Sequence, residues 1–188
     1  MKRRSKELIT SVERIATRVL SNWRPAAEGE RKAVVFDIDG TLTPSVLAIS
    51  TPRSGAADAV RAFFDAGFEI IYVSARVRLL QSGLNAWLVE NGFPAGNLHM
   101  TETRGDRADH GAFKKRVLRA YADNGWTFAA AFGDSTSDFN AYVHGGVPED
   151  RIFALRRRGS NRCQKGTWDG CYGGWEDLRN VIAKILAE

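Results

Sequence analysis

The chain has 188 residues, 44% of them hydrophobic, and a formal net charge of +5, which places it in the usual size range of one globular domain. This composition excludes a disordered, collagen-like or disulfide-scaffold protein. No stretch approaches the roughly 18 consecutive apolar residues of a membrane span, and no signal-peptide core is present, so the sequence predicts a cytoplasmic protein.

The N-terminal segment carries the excess of positive charge. Residues 1–24 contain seven basic and two acidic side chains, and apolar residues recur at helical spacing from Leu8 to Trp23. The pattern predicts a basic amphipathic helix within 1–24. This helix could bind peripherally to an anionic membrane, pack on the domain itself or pack on another subunit.

The remaining residues, 31–188, alternate between strand and helix patterns. Because strands separated by helices form right-handed crossovers, the pattern predicts a three-layer α/β/α domain with a parallel sheet. The predicted strands cover 32–36, 68–74, 97–100, 127–132 and 152–155, and the predicted helices cover 54–66, 77–91, 111–124, 136–143 and 175–187.

Acidic and hydroxyl side chains follow three of the predicted strands. Asp37 and Asp39 come after the first strand, Ser74 ends the second, and Asp134 and Asp138 follow the strand at 127–132. Parallel sheets bind ligands at the carboxyl ends of their strands, so these side chains are expected at one edge. Carboxylates so close together would repel one another unless a cation neutralised them, and oxygen ligands suit Mg²⁺.

The spacing of Asp37 and Asp39 allows two different roles. One carboxylate can act as nucleophile and metal ligand, and the other can act as general acid and then as general base. The alternative is an ordinary Asp/Gly turn after a strand, with Gly40 permitting the bend.

The motifs VVFDIDGTLT and GDSTSD, with Ser74 and a lysine between them, resemble the haloacid dehalogenase-like (HAD) phosphohydrolase superfamily. Over residues 32–155, the strings DIDGTLT, IIYVSAR and AAAFGDSTSDFNAY are also similar to the catalytic domain of lipin-type phosphatidate phosphatases and to the related C-terminal domain of phosphatidylinositol-transfer proteins. The chain departs from the lipin pattern at Asp134, where lipins usually have Asn, and in a shorter loop between Thr43 and Gly55.

The resemblance implies a role for each site residue. Asp37 would attack phosphorus and become an aspartyl-phosphate, Asp39 would be the acid and base, and Ser74 and Lys114 would contact the phosphoryl oxygens. Mg²⁺ would be held by Asp37, Asp39 through its backbone carbonyl, Asp134 and Asp138.

Two of these assignments have alternatives, and Arg76 is a further residue whose role is open. Lys115 competes with Lys114, because adjacent helix positions point in different directions. Ser74 could cap the following helix instead of binding phosphate. Arg76 could bind phosphate or pair with a carboxylate.

The connections between the motifs are too short to hold an inserted cap domain. In the HAD superfamily an uncapped site is open and implies either a bulky substrate or a lid from another subunit. The predicted function is a Mg²⁺-dependent phosphohydrolase acting on a phosphorylated substrate, with phosphatidate or a related phospholipid the first to try. The alternatives are a polynucleotide or protein phosphatase, the former prompted by the run Arg156–Arg158, and a non-catalytic module that binds anionic lipid. Transfer-protein domains have often lost catalytic carboxylates, so their presence here favours an enzyme.

Cys163 and Cys171 lie in a glycine-rich segment before the last predicted helix. They could form a disulfide in an oxidising compartment, but no targeting segment supports one, so two free thiols are predicted.

Overall fold

A computed structural model of the chain describes residues 31–45, 51–76 and 83–188. The helix predicted within 1–24 and the first part of the helix predicted at 77–91 lie outside these residues. Within the described ranges, six parallel strands form one sheet in the order β3-β2-β1-β4-β5-β6. The strands are β1 (Lys32–Asp37), β2 (Glu69–Ser74), β3 (Asn97–Met100), β4 (Thr127–Gly133), β5 (Ile152–Leu155) and β6 (Gly170–Tyr172).

Helices cover both faces of this sheet, which confirms the predicted three-layer α/β/α fold. They are α1 (Ala56–Asp65), α2 (Leu84–Glu90), α3 (Arg104–Ala108), α4 (His110–Asp123), α5 (Thr136–Gly145) and α6 (Arg179–Leu186). Helices α1, α2 and α6 pack on one face, and α4 and α5 pack on the other. In the part of the chain that the structure describes, no helix is both long enough and apolar enough to cross a membrane.

Strand β1 lies inside the sheet and is buried on both faces. Val34 and Phe36 contribute to the core under α1, whereas Ala33 and Val35 contribute to the core under α4. This double burial explains why the strand is a continuous apolar run without alternation. Phe36 also stacks on Phe132 of β4, with ring centroids 5.3 Å apart. The packed strand therefore gives the residues at its carboxyl end a rigid support.

Strand β6 and helix α3 were not predicted, and the last predicted helix begins later than expected. Residues Trp175–Leu178 form a 3₁₀ turn before α6 starts at Arg179. Strand β6 has only three residues and comes from a glycine-rich segment without an apolar run, so its strand form depends on pairing with β5.

The prediction of two free thiols is wrong, because Cys163 and Cys171 form a disulfide. Pairing of β6 with β5 sets Cys171 beside Ala154, and the Cys163 sulfur lies 3.5 Å from the carbonyl oxygen of the same Ala154. The two cysteine Cα atoms are consequently 5.8 Å apart, a separation at which disulfides form.

Replacing both Cys163 and Cys171 by Ser is expected to lower the free energy of unfolding by about 2.5 kcal/mol, because the crosslink restricts the unfolded chain. Urea unfolding of the oxidised protein and of the double variant measures this difference. Reductant should destabilise the wild type and leave the variant unchanged. Equal stabilities of the oxidised protein and the variant would contradict the prediction.

Candidate active site

The carboxyl ends of three neighbouring strands form the site. Asp37 ends β1 and lies opposite Val73 of β2, next to Ser74. On the other side of β1, strand β4 ends at Gly133, directly before Asp134. The structure thus brings the predicted residues to one edge of the sheet, with Lys114 reaching it from α4. These residues are Asp37, Asp39, Ser74, Lys114, Asp134 and Asp138.

Lys114 connects two of the carboxylates. Its Nζ donates to Asp37 Oδ1 at 2.5 Å and to Asp138 Oδ1 at 2.6 Å. Lys114 is only 3% exposed, whereas Lys115 is exposed, so Lys114 is the lysine of this site. Burial by itself would lower the pKa of Lys114, but Asp138 and Asp37 raise that pKa above its ordinary value. Lys114 therefore remains a buried ammonium.

Three carboxylates are arranged as ligands for a cation. One oxygen from each of Asp37, Asp134 and Asp138 lies within 4.8 Å of the others, and all three residues are buried. Asp37 Oδ2 is buried and has no hydrogen-bond partner among the described residues. An unpaired buried oxygen beside two further carboxylates fits a hard divalent cation such as Mg²⁺. The Asp39 carboxylate is not part of this group.

The pKa shifts of Asp37 and Asp134 reflect burial and an excess of negative charge among the carboxyl groups of Asp37, Asp134 and Asp138. Burial raises the pKa of Asp37 well above its usual value; Lys114 opposes this, and the nearby carboxylates add to it. Burial, together with the charge of Asp138, raises the pKa of Asp134 to about 6. Burial also disfavours ionisation of Asp138, but Lys114 and hydrogen-bond donors around Ser135 hold the pKa of Asp138 below its usual value. A bound cation would favour ionisation of all three.

Mg²⁺ is expected to raise the melting temperature, and to raise it more at pH 7.5 than at pH 5. The folded-state pKa of Asp134 is about 6 against an ordinary 3.8, so the metal-free protein loses stability as the pH rises through this interval. Mg²⁺ offsets the loss once the carboxylates are ionised. Differential scanning fluorimetry with Mg²⁺ and with EDTA measures the shift, and an equal shift in the Asp134→Asn variant would contradict a site at this cluster.

Both carboxylate oxygens of Asp39 are held by neighbouring donors. Ser74 Oγ donates to Asp39 Oδ2 at 3.0 Å, and Arg76 Nε donates to Asp39 Oδ1 at 2.6 Å. Ser74 Oγ also accepts from the backbone N–H of Arg76 at 3.2 Å, and because residues 77–82 lie outside the described ranges, capping of the helix predicted at 77–91 stays a prediction. Of the two alternatives for Arg76, phosphate binding and pairing with a carboxylate, the structure shows the pairing. The expected contact of Ser74 with phosphate remains a prediction.

Gly40 allows the turn after Asp39 to touch Asp134. Its φ is +89°, and a Cβ at this position would lie 2.2 Å from Asp134 Oδ2. Any larger residue would therefore move either the turn or the carboxylate.

Replacing Gly40 by Ala is expected to remove the Mg²⁺-dependent rise in melting temperature, because the added methyl group displaces Asp134. Gly67→Ala is the matched control, since Gly67 has a φ of +88° and no atom within 4 Å of the added Cβ. Both variants carry the same backbone strain, and only Gly40→Ala should lose the response to Mg²⁺. A normal response in Gly40→Ala would contradict the prediction.

Two arginines of the site were not predicted. Arg157 Nε donates to Asp134 Oδ2 at 2.7 Å, and Arg53 Nη1 donates to the carbonyl of Gly40 at 2.8 Å. The run Arg156–Arg158 is visible in the sequence as a basic patch, but nothing in it identifies Asp134 as a partner. Arg53 gives no sequence signal.

The three-layer α/β fold with its parallel sheet is similar to the folds of solved proteins of the HAD family. Deoxy-D-mannose-octulosonate 8-phosphate phosphatase from Haemophilus influenzae, in a cobalt-bound form, is similar with a TM-score of 0.55 and 17% identity, over 85% of this chain and 91% of that one. A protein from Streptomyces avermitilis that is assigned to the HAD hydrolase family gives a TM-score of 0.52 and 16% identity, over 88% and 93% of the two chains. At these identities the likeness shows the fold.

Sequence comparison identifies the family within this fold. The family model described as PITM 1-3, LNS2 domain, matches residues 34–156. The chain therefore belongs to the LNS2 domain family.

Curated relatives agree with this assignment. The protein retinal degeneration B of Drosophila melanogaster is 30% identical over 132 residues, which cover 68% of this chain and 10% of that protein. Human membrane-associated phosphatidylinositol transfer protein 3 is 29% identical over 131 residues, covering 67% of this chain and 13% of that protein. The matched region thus spans only about a tenth of the length of these relatives.

Proposed function

We propose that this chain is a metal-dependent phosphomonoesterase that carries the phosphoryl group on Asp37. The observation that supports this most strongly is the environment of the Asp37 carboxylate. One of its oxygens accepts from Lys114, and the other is buried without a partner among the described residues, inside the cluster with Asp134 and Asp138. A fixed carboxylate oxygen beside a cation site is suited to attack a phosphorus atom.

The metal in this proposal is Mg²⁺. The carboxylates of Asp37, Asp134 and Asp138 would hold it, together with the backbone carbonyl of Asp39. When bound, Mg²⁺ would neutralise the cluster and polarise the phosphoryl oxygens. The cobalt-bound form of the Haemophilus influenzae phosphatase supports a divalent cation for this fold.

The reaction proceeds in two displacements. In the first, a carboxylate oxygen of Asp37 forms a bond to phosphorus, the bond from phosphorus to the leaving oxygen breaks, and Asp39 gives its proton to that oxygen. In the second, a water molecule gives a proton to Asp39 and its oxygen bonds to phosphorus. The bond between Asp37 and phosphorus then breaks, which releases phosphate and restores the Asp37 carboxylate.

The surrounding side chains supply charge and position. Lys114 keeps a positive charge next to Asp37 and would neutralise the phosphoryl oxygens. Ser74 and Arg76 orient the Asp39 carboxylate by holding both of its oxygens. When the contact between Ser74 and Asp39 breaks, the Ser74 hydroxyl is free to donate to the phosphoryl group.

The substrate we propose is phosphatidate or a related phospholipid. The described part of the chain contains no inserted cap domain over the carboxyl edge of the sheet, so a bulky leaving group can be accommodated. Relatives in the family include proteins named as membrane-associated phosphatidylinositol transfer proteins, which supports a lipid. The basic segment 1–24 would hold the enzyme at an anionic membrane surface.

Phosphate release tests this proposal directly. The protein would be incubated with an aryl phosphate and with phosphatidate in detergent micelles, each with Mg²⁺ and with EDTA. We expect Mg²⁺-dependent release from both substrates and a higher kcat/KM for phosphatidate. Release that persists in EDTA would contradict the metal dependence. Binding to phosphatidate vesicles without any phosphate release would indicate a non-catalytic lipid-binding module.

A further inference from the structure

A strongly basic cavity of about 370 Å³ adjoins the carboxylate cluster. Four arginines line it, together with the hydroxyl-bearing Ser160; the arginines are Arg53, Arg156, Arg157 and Arg158. No acidic side chain lines it among the residues that the structure describes. A cavity of this composition is suited to an anion, because guanidinium groups bind phosphate oxygens through paired hydrogen bonds.

Two of the arginines join this cavity to the carboxylate cluster. Arg157 donates to Asp134 at 2.7 Å, and Arg53 donates to the carbonyl of Gly40, whose α-carbon packs against the Asp134 carboxylate. Arg53 is also fixed by bonds to the carbonyls of Arg156 and Gly173. An anion in the cavity would therefore lie beside the group bound at Asp37, next to two arginines that hydrogen bonds hold in position.

Only one of the four cavity arginines is paired with a carboxylate in the described part of the chain. Within the described ranges, Arg157 forms an ion pair, but the side chains of Arg156 and Arg158 form neither an ion pair nor a hydrogen bond. Burial lowers the pKa of Arg53, the Asp134 carboxylate opposes this, and the nearby charge of Arg156 lowers that pKa further. Arginines placed this close together repel one another until an anion lies between them.

A second cavity of about 360 Å³ continues the basic surface. It shares Arg157 and Ser160 with the first and adds Arg162 and Lys165. Neither cavity has an aromatic lining residue in the described part of the chain. Proteins that bind single-stranded nucleic acid stack bases on aromatic side chains, so this surface favours a phosphorylated small molecule or lipid headgroup over a polynucleotide.

We infer that the cavity is a subsite for a second phosphate group on the leaving group of the substrate. The inference rests on the proposed phosphomonoesterase activity and ranks phosphomonoesters that carry another phosphate nearby above phosphatidate, which has a single phosphate group. Such a substrate is either a soluble bisphosphate or a phospholipid whose headgroup bears a phosphomonoester in addition to its phosphodiester.

Two matched substrate pairs test the inference and distinguish these sources. The soluble pair is fructose 6-phosphate and fructose 1,6-bisphosphate, and the lipid pair is phosphatidate and phosphatidylglycerol phosphate in the same micelles. In at least one pair, kcat/KM for the doubly phosphorylated member should be higher by about tenfold or more, the size of one charge-assisted contact. A preference in the lipid pair alone assigns the subsite to a headgroup, and a preference in the soluble pair assigns it to free bisphosphates.

Arginine variants show whether the cavity causes the preference. Arg156→Gln and Arg158→Gln, separately and together, should bring the ratio of kcat/KM values for the doubly and singly phosphorylated substrates towards one, because contacts to the second phosphate are lost. Neither side chain contacts the carboxylate cluster, so the rate with the singly phosphorylated substrate should fall much less. Arg119→Gln is the control, since Arg119 is exposed on α4 and its side chain, among the described residues, bonds only to the His144 carbonyl. A ratio near one in both wild-type pairs, or a ratio that the double variant leaves unchanged, would overturn the inference.

The subsite can also be tested if the protein releases no phosphate from any substrate. If no substrate releases phosphate, the enzymatic proposal is wrong, and the cavity is then judged by calorimetric binding of the same four compounds. Tighter binding of the doubly phosphorylated member, lost in the double variant, would still support the subsite. Equal binding of both members would overturn it.

Discussion

The Asp37→Asn variant should lose phosphate release by at least roughly 10⁴-fold in kcat, because the amide cannot form the covalent intermediate. The folded structure should persist. Ionised Asp37 is unfavourable in its buried position, as its raised pKa shows, so a neutral amide of the same shape should leave the metal-free protein at least as stable. Initial rates and urea unfolding of the metal-free variant measure the two effects.

The exposed Asp65 provides the matched control for this substitution. Asp65 ends α1, close to the amino end of β2 and thus at the opposite edge of the sheet from the site. Asp65→Asn should retain the wild-type rate. An Asp37→Asn variant that keeps more than about a hundredth of the wild-type kcat would rule out Asp37 as the nucleophile.

Replacing Lys114 by Met should abolish activity and also destabilise the fold. Two carboxylates, Asp37 and Asp138, would then be buried without their shared ammonium. Breaking a buried ion pair by removing one partner costs about 3–5 kcal/mol, so a large fall in the free energy of unfolding is expected. Chemical unfolding and initial rates measured on the same preparation test both parts.

Substitution of the neighbouring Lys115 is the matched control for this prediction. Lys115→Met removes the same charge from an exposed position and should change stability by less than about 0.5 kcal/mol. Adding Asp138→Asn to Lys114→Met should recover part of the lost stability without restoring activity, because one of the two repelling charges is removed. Equal effects of the Lys114 and Lys115 substitutions would contradict the assigned ion pairs.

Much of the domain was predictable because its signals are local. The apolar run before Asp37 predicts a buried strand from adjacent residues alone, and the rule for strand ends then selects Asp37, Asp39, Ser74 and Asp134 without any knowledge of packing. Lys114 could be separated from Lys115 only by resemblance, and the structure supplies the physical reason, which is burial of Lys114 against two carboxylates.

Features that depend on distant pairing could not be predicted. The short strand β6 has no apolar pattern, and its pairing with β5 is also what brings Cys163 and Cys171 together. The contact of Arg157 with Asp134 joins residues 23 positions apart through a loop whose sequence shows only positive charge. In each case the tertiary fold determines which residues pair, and the residues adjacent in sequence do not.

In the proposed mechanism Asp37 carries the phosphoryl group during turnover, and acid quenching during turnover traps that covalent intermediate. Protein mixed with a ³²P-labelled phosphomonoester and Mg²⁺ would be quenched in acid, digested and analysed for labelled peptides. We expect a hydroxylamine-sensitive label on the peptide that contains Asp37, present in Asp65→Asn and absent in Asp37→Asn. An active enzyme that never becomes labelled, or a label that persists in Asp37→Asn, would contradict it.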